Sequence, residues 1–309
     1  MKQDEVQANV TSKEVYQSYL KAGRAAAEAL HYGKSLVKPG AKYIDVAEAV
    51  EEKIQQLGCE LAFPCNISRN EIAAHYTSPI GDESVFSETE IIKLDIGAQY
   101  NGYIGDNALT VDLTGKYTDL VRASREAVEK VTKLAGVGVT LGEVGKLIAE
   151  TIESYGYKTV RNLSGHGVAR FHQHASPTIP NYNNNDTFKF IDGMSFASEP
   201  FATDGIGLIH EKAPCYIYML ENKRPVRNQM SRDLLKEIDK YRGLPFATRW
   251  LAKKFPVAKI NYAVRDLVNN GVLYEYGPLV EKAKGMVSQA EHTMVIFEGK
   301  LKVTTRLDD

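Results

Sequence analysis

The sequence predicts an α+β fold built from two similar halves. Three observations support this prediction: the chain aligns with itself at one fixed offset, two alternating segments flank an Asn-Gly dipeptide, and the composition is that of a globular protein. With 309 residues, of which 43% are hydrophobic and 25% charged, the chain can bury a sizeable core as one large domain or two smaller ones.

An internal repeat links residues 24–58 with residues 122–156, which align without a gap. Each copy predicts two helices joined by a glycine-containing turn and followed by a glycine stop. In the second helix of each copy, apolar residues recur at i, i+4 and i+8, as on a helix face that packs against a sheet or another helix. These positions are Val46, Val50 and Ile54 in the first copy and Val144, Ile148 and Ile152 in the second. Two helical hairpins that are alike only in composition are the alternative to a duplication.

A β-hairpin is predicted between the two copies of the repeat. The stretch from Ile91 to Leu113 alternates apolar and polar residues around Asn101-Gly102. Asn-Gly between such segments is a strong hairpin signal, because both residues of the turn must adopt positive φ. The turn therefore determines which residues of the two strands lie opposite each other.

Two aspartates of this hairpin are predicted to lie on the same face. With a two-residue turn, Asp95 is opposite Ala108 and Asp106 is opposite Gly97, so the two aspartates are diagonal neighbours whose backbones are about 7 Å apart and whose carboxylates can converge. Two carboxylates directed at one point repel each other unless a cation lies between them. The hairpin thus favours a metal site over the alternative of two exposed strand carboxylates, which are disfavoured in strand interiors.

Three other residues have contexts that suit a buried polar site. His166 lies in Ser-Gly-His-Gly, where the flanking glycines permit close backbone approach and unusual dihedral angles. A lone histidine in such a glycine-rich turn is more often structural. Glu199 and Glu291 each interrupt an apolar, strand-like segment, and isolated buried glutamates are rare unless they are paired or bind a metal.

The bulk properties of the chain exclude several classes of protein. The net charge of −1 gives no electrostatic reason to expect nucleic acid or an anionic membrane as the main partner. No apolar segment reaches the roughly 18 residues of a transmembrane helix, and the polar N-terminus does not resemble a secretory signal. Three cysteines, Cys59, Cys65 and Cys215, are too few for a disulfide framework and are expected to be buried thiols of a cytoplasmic protein.

A separate segment lies between Cys215 and about Met286. It predicts three short helices followed by a hairpin-like stretch, VLYEYGPL. The predicted helix faces consist of Leu234, Leu235 and Ile238, then Ala247, Trp250 and Leu251, then Ala263, Leu267 and Val268. The segment also carries a basic stretch formed by Arg249, Lys253, Lys254 and Lys259. Nucleic-acid binding and a solvated helical face are the two interpretations of this basic stretch, and the near-neutral chain favours the second.

Taken together and in this order, the motifs resemble the type 2 branch of the methionine aminopeptidase family. The resemblance runs from about Ser12 to the C-terminus and rests on AFPCNISRNEIAAHYTSP, the aspartate hairpin, NLSGHGVARFHQHASPTIP, ASEPF and QAEHTM. It implies the duplicated pita-bread (creatinase/aminopeptidase) fold as a catalytic domain over residues 1–309. The two halves are expected at about 12–115 and 116–309, interrupted by a helical, winged-helix-like insertion at about 218–284.

The resemblance also implies the site residues and their roles. Two divalent metal ions (Co, Mn, Fe or Zn) are expected to be held by Asp95, Asp106, His166, Glu199 and Glu291. Glu199 is in addition expected to act as general base or proton shuttle, with His75 and His174 as the further catalytic residues. The substrate is expected to contact His75, His174, Phe63, Pro64, Ile217, Pro245 and Tyr276.

The expected activity is removal of the initiator methionine from nascent proteins, by attack of metal-activated water on the first peptide bond. The expected partners are peptides with an N-terminal methionine, with the ribosome as a candidate; a cytoplasmic monomer is expected, without membrane or nucleic-acid binding. A prolidase or Xaa-Pro aminopeptidase is one alternative, but those enzymes normally carry an extra N-terminal domain, which we do not expect in this protein. A catalytically inactive binding protein is another, but such members typically lose ligands that are all present here.

Overall fold

The computed structural model describes residues 8–307. Over that range the chain forms seven α-helices and seventeen β-strands. The helices are α1 (Lys13–Leu36), α2 (Tyr43–Gln56), α3 (Thr118–Leu134), α4 (Leu141–Ser154), α5 (Gln229–Ile238), α6 (Thr248–Ala252) and α7 (Val257–Asn269). The strands of the first half are β1 (Glu60–Arg69), β2 (Ile72–Ala74), β3 (Ile91–Tyr100) and β4 (Tyr103–Asp112). The later strands are β5 (Lys158–Thr159), β6 (Ser164–Ala169), β7 (His172–Pro180), β8 (Ser195–Ser198), β9 (Phe201–Thr203), β10 (Ile209–Glu211), β11 (Ile217–Leu220), β12 (Phe246–Ala247), β13 (Leu273–Tyr276), β14 (Leu279–Glu281), β15 (Val287–Gln289), β16 (Glu291–Phe297) and β17 (Lys300–Val303).

The predicted duplication is confirmed by the positions of the helices. α1 and α3 end at equivalent residues of the repeat, and α2 and α4 begin and end at equivalent residues. The turn glycines Gly40 and Gly138 have φ of 84° and 90°, and the stop glycines Gly58 and Gly156 have φ of 72° and 82°. Glycine adopts this left-handed region without the steric cost that a side chain incurs, so each hairpin ends where its glycines lie.

The halves meet in one antiparallel sheet of eight strands. Its order is β1-β3-β4-β16-β8-β6-β7, with β17 also paired to β16. The first half contributes β1, β3 and β4, and the second half contributes the remainder. The seam between them is short: Glu291 and His292 of β16 pair with Ala108 and Asn107 of β4. Residues of both halves therefore come together at the centre of the sheet.

Each helical hairpin supports its own half of the sheet. The predicted apolar stripes are confirmed as core: Val46, Val50 and Ile54 pack with strands β1 and β3, whereas Val144, Ile148 and Ile152 pack with the second half. All six side chains are buried. Burial of such stripes supplies most of the favourable free energy that fixes a helix on a sheet. Cys59 and Cys65 are buried free thiols, as expected, whereas Cys215 is only half-buried.

The segment after β11 has a small core of its own. α5, α6 and α7 pack around Leu234, Phe246, Leu251, Ile260 and Leu267, all of which are buried. The predicted hairpin in VLYEYGPL is wrong, because its two strands join different sheets: β13 pairs with β11, whereas β14 pairs with β2 and β10. The intervening Gly-Pro therefore turns the chain from the helical segment back into the main domain.

The basic stretch of this segment is largely paired with carboxylates. Arg249 is buried and bonded to Glu51 of α2, and Trp250 donates its indole N–H to the same carboxylate at 2.9 Å. Lys254 pairs with Glu237 at 2.5 Å, and Lys259 of the stretch likewise pairs with an aspartate of α5. The Arg249 contact attaches the helical segment to α2, and the two lysine contacts stabilise the segment internally. Within residues 8–307, no helix combines the length and the apolarity needed to cross a membrane.

Candidate metal centre

The aspartate hairpin has the predicted register. Asp95 pairs with Ala108 and Gly97 pairs with Asp106, around a turn whose residues Asn101 and Gly102 have φ of 54° and 88°. Asp95 and Asp106 therefore lie on one face of the sheet, and Gln289 of the second half contacts Asp95 there. The two-residue turn is sufficient to produce this placement.

His166 reaches the same face from the opposite side of the seam. The expectation that it lies in a glycine-rich turn is wrong, because His166 is an internal residue of β6 and its flanking glycines do not have positive φ. The glycines instead allow close packing. A Cβ at Gly165 would overlap the carbonyl oxygen of Ala197, and one at Gly167 would overlap that of Ser176.

The two glutamates lie at the ends of two paired strands of the second half, β8 and β16. Glu199 directly follows β8 and precedes Pro200, whereas Glu291 is the first residue of β16. Pro200 has no N–H, so the chain leaves the ladder at this point and the Glu199 side chain is free to turn into the site. Glu291 pairs with Ala108, whose small side chain leaves room beside it.

Side chains from both halves converge to within metal-binding distance of each other. Nε2 of His166 lies 3.7 Å from Oδ2 of Asp106 and 3.7 Å from Oε1 of Glu199. Ligand atoms of Asp106, His166 and Glu291 lie within 4.8 Å of one another. Nδ1 of His166 is 3.1 Å from the Gly167 carbonyl oxygen, and an N–H there leaves the lone pair of Nε2 facing the carboxylates.

The donor set fits divalent cations. Oδ1 of Asp95, Oδ1 of Asp106 and Oε1 of Glu291 are buried and have no hydrogen-bond partner among the described residues. Burial raises the pKa of Asp95 to about 7, and burial with the neighbouring carboxylates raises the pKa of Asp106, Glu199 and Glu291 well above the ordinary range. Buried carboxylates crowded in this way either hold a proton or are compensated by a positive charge, which a bound cation supplies.

Two glutamines bound to this cluster were missed in the sequence. Gln289 donates its side-chain amide to Oδ2 of Asp95 at 3.4 Å and to Oε2 of Glu199 at 3.2 Å. Gln173 donates to Oδ2 of Asp106 at 3.2 Å. Both lie inside motifs quoted above, QAEHTM and RFHQHASP, but a neutral amide has no charge or spacing rule that would mark it beforehand.

The two further histidines border the carboxylate cluster. The rings of His174 and His166 are 4.6 Å apart, and Tyr276 packs against both His75 and His174 with ring separations of 5.1 and 6.0 Å. Burial lowers the pKa of His75 and of His174 to about 3. Both imidazoles are therefore neutral near pH 7, with one nitrogen able to donate and the other able to accept.

One cavity connects the carboxylates, the histidines and an apolar wall. Of the residues expected to contact substrate, His75, His174, Phe63, Ile217, Pro245 and Tyr276 line it, together with all five expected metal ligands. Pro64 does not line the cavity: it is buried in β1, and its carbonyl oxygen accepts a hydrogen bond from Nδ2 of Asn66 at 2.8 Å. Asn66, Ala74 and Gln173 line the cavity and were not anticipated.

Comparisons with known proteins agree with this architecture. The sequence profile of metallopeptidase family M24 matches residues 17–234. A methionine aminopeptidase of Archaeoglobus fulgidus is 43% identical over 294 residues, which cover 95% of this chain and 99% of that protein. The crystal structure of a methionine aminopeptidase from Thermotoga maritima matches with a TM-score of 0.70 and 26% identity, covering 97% of this chain and 100% of that one. The structure of a thermophilic Arx1 matches with a TM-score of 0.83 over 96% of this chain and 92% of that one, but at 17% identity this likeness shows the fold alone.

Proposed function

The chain belongs to metallopeptidase family M24 and has its pita-bread fold, and from this membership we propose that it is an aminopeptidase that removes N-terminal methionine. One observation carries the proposal beyond the fold. Four carboxylates and an imidazole from the two halves converge on the same cavity as two neutral histidines and an apolar wall. A hydrolytic centre beside an apolar pocket suits cleavage of a peptide after an apolar first residue.

We assign the cation-binding role to Asp95, Asp106, His166, Glu199 and Glu291. Oxygen-rich ligation with one imidazole suits Mn, Fe or Co at least as well as Zn. When bound, two such ions lower the pKa of a water molecule and stabilise negative charge on the oxygen of the scissile carbonyl. The unpartnered oxygens of Asp95, Asp106 and Glu291 support this assignment, because nothing else in the described chain satisfies them.

Glu199 is the group best placed to move protons. Its Oε1 faces Nε2 of His166 at 3.7 Å, and its Oε2 is held by the amide of Gln289. Burial and the neighbouring Asp95 and Asp106 raise its pKa, so it accepts a proton more readily than an ordinary glutamate does. We assign it the role of general base towards the attacking water and of proton donor to the leaving amine.

His75, His174 and the apolar wall would orient the substrate. A neutral imidazole donates one hydrogen bond, so either histidine can polarise the scissile carbonyl without adding a charge to the site. Phe63, Ile217 and Tyr276 offer an apolar surface that suits the unbranched, flexible side chain of methionine.

We also propose that the chain acts as a cytoplasmic monomer on newly made proteins, with the ribosome as a candidate partner. A single chain supplies every residue assigned a role in the site, so the proposed activity does not require a second copy. The ribosomal partner follows from the substrate, since N-terminal methionine is first exposed on a nascent chain.

A peptide assay tests the proposed activity. The purified protein, loaded separately with Mn, Fe, Co and Zn, is expected to release methionine from Met-Ala-Ser. Substitution Glu199→Gln is expected to lower kcat by about 10²–10⁴-fold because it removes the proton-transfer group. Release of methionine is followed by chromatography.

Two controls make this assay decisive. Glu88→Gln, in an exposed loop, changes a glutamate in the same way and is expected to retain full activity. An Ala-Pro substrate separates the two peptidase classes: cleavage of Ala-Pro in preference to Met-Ala-Ser would replace the proposal with a prolidase. Absence of hydrolysis with every metal would contradict both.

A further inference from the structure

The side chain of Gln289 forms hydrogen bonds to expected metal ligands from both halves of the molecule. Its amide nitrogen donates to Asp95 on β3 of the first half and to Glu199 beside β8 of the second half, at 3.4 and 3.2 Å. The Gln289 side chain is almost fully buried. Among the described residues, no other side-chain amide donates to carboxylates of both halves in this cluster.

The position of this amide is determined by the backbone that carries it. The Thr110 hydroxyl donates to the Gln289 carbonyl oxygen at 2.7 Å and accepts from the Gln289 N–H at 2.8 Å. On its other side, Gln289 pairs with Phe201 of β9. β15 is thus attached both to the aspartate hairpin through Thr110 and to the chain that follows Glu199. The Gln289 side chain emerges between the two carboxylates it binds.

A carboxamide has chemistry that a charged residue in this place would lack. It offers two N–H groups, one for each carboxylate, and brings no positive charge that would compete with a cation. The amide of Gln289 donates hydrogen bonds to Oδ2 of Asp95 and Oε2 of Glu199. The opposite oxygens stay available, because Oδ1 of Asp95 has no partner and Oε1 of Glu199 faces Nε2 of His166.

We propose that Gln289 is a positioning residue that holds Asp95 and Glu199 with their free oxygens directed at the cation site, and thereby sets the affinity for the cations. Hydrogen bonds that hold the ligand carboxylates in place reduce the conformational entropy that is lost when the cation binds. The affinity for the cation is therefore higher. The proposal rests on the proposed function only in that it takes divalent cations as the bound group.

The test compares cation binding in two matched variants. Gln289→Met keeps the length of the side chain and removes both donors. Gln99→Met is the control, because Gln99 is also buried on the aspartate hairpin and donates to a carboxylate, that of Glu60, which is not one of the expected metal ligands. Calorimetric titration of the metal-free proteins with Mn²⁺ is expected to show about 10–100-fold weaker binding for Gln289→Met and wild-type affinity for Gln99→Met.

A purely structural role predicts a different pattern. Both variants lose hydrogen bonds, so both are expected to lose stability in urea, but only Gln289→Met is expected to lose Mn²⁺ affinity. At saturating Mn²⁺ it is further expected to lower kcat for Met-Ala-Ser while leaving KM unchanged. Wild-type affinity in Gln289→Met, or an equal loss of affinity in both variants, overturns the proposal.

A measurement on the unsubstituted protein covers the case in which Gln289→Met does not fold. With ¹⁵N-labelled glutamine side chains, addition of diamagnetic Zn²⁺ is expected to shift the amide signal of Gln289 and to leave that of Gln99 in place. An unshifted Gln289 signal overturns the proposal. If the protein binds Mn²⁺ but does not hydrolyse Met-Ala-Ser, the proposed function fails, and the affinity comparison still decides the role of Gln289.

Discussion

At the scale of single residues, some carboxylate oxygens of the candidate site accept hydrogen bonds, whereas others are buried without a hydrogen-bond partner. Gln289 donates to one oxygen each of Asp95 and Glu199, and Gln173 donates to one oxygen of Asp106, whereas Oδ1 of Asp95 and Oδ1 of Asp106 remain buried and unpartnered. An unpaired buried acceptor costs free energy in isolation. A bound cation would remove this cost by coordinating the unpaired oxygens. These oxygens therefore indicate a metal site more directly than the presence of acidic residues does.

Close packing around His166 gives a prediction at this scale. Gly165→Ala would drive a methyl group into the Ala197 carbonyl oxygen and the Ser198 backbone, which cannot move without displacing β8. We expect it to lower the free energy of unfolding by about 1–3 kcal/mol and to weaken Mn²⁺ binding, because β8 leads directly into Glu199. Urea unfolding and calorimetry measure the two effects.

Gly136→Ala is the matched control for this substitution. A Cβ at Gly136 meets no atom within 4 Å, and its φ is not in the positive range. We expect unchanged Mn²⁺ affinity and unchanged or slightly higher stability, because alanine reduces the entropy of the unfolded chain. Equal behaviour of the two alanine variants would show that contact with β8 does not limit the site.

Elements of secondary structure differ in how they are held in place. The helical hairpins are held by apolar stripes, whereas the helical segment between β11 and β13 is also attached by one buried ion pair. Glu51 of α2 accepts hydrogen bonds from Arg249 and Trp250 of α6 and from the backbone N–H of Cys65. This contact matters for the cavity, since Pro245 of this segment, together with Ile217 of β11 and Tyr276 of β13, forms part of its wall.

Removing one partner of that pair tests how strongly it holds the segment. Glu51→Gln leaves the Arg249 charge buried without a counter-charge, and we expect it to lower the free energy of unfolding by about 3–5 kcal/mol. The double variant Glu51→Gln with Arg249→Met removes both charges and is expected to recover part of this loss. Urea unfolding of both variants measures it.

An exposed ion pair provides the comparison. Glu28→Gln breaks the Arg24–Glu28 contact on α1, whose arginine side chain is 77% exposed, and is expected to change stability by less than about 1 kcal/mol. If Glu51→Gln is no more damaging than Glu28→Gln, the segment is held by its apolar contacts alone.

At the scale of the whole molecule, four carboxylates from the two halves lie close together in the site. Asp95 and Asp106 arrive on the first half, and Glu199 and Glu291 arrive on the second. The core of each half holds the carboxylates in place, so their burial and mutual repulsion appear as raised pKa values rather than as a rearrangement. Cation binding and proton binding therefore compete for the same oxygens.

This competition predicts the pH dependence of metal binding. A carboxyl whose folded-state pKa is raised keeps its proton to higher pH, and Asp95, with a pKa of about 7, is protonated below that value in the metal-free protein. Mn²⁺ must displace such protons, so its affinity is expected to fall as pH is lowered from 8 to 6, by about tenfold per pH unit for each proton displaced. His166 does not contribute in this window, since burial lowers its pKa to about 4.

Stability should follow the same linkage. Mn²⁺ at a hundred times its dissociation constant stabilises the folded state by about 2.7 kcal/mol, so a fixed Mn²⁺ concentration should raise the Tm more at pH 8 than at pH 6. Calorimetry in buffers of different ionisation enthalpy counts the protons released. Affinity independent of pH, without proton release, would contradict the raised pKa of the carboxyls.

The sequence by itself determined the features that are encoded within a few residues of each other. The turn and stop glycines of each copy are where the helical hairpins bend and end, and Asn101-Gly102 sets the register that aligns Asp95 with Asp106. These features depend on backbone conformation and side-chain period, which are local properties. Most of the cavity was also anticipated, but through resemblance of motifs rather than through local physics.

Only the tertiary structure decided how distant segments meet. It placed His166 on a strand instead of in a turn, sent β14 to β2 and β10 instead of to β13, and excluded Pro64 from the cavity. It also brought the amide of Gln289 between Asp95 and Glu199. The physical reason is that strand pairing and burial are set by contacts across the whole chain, for which neighbouring residues carry no signal.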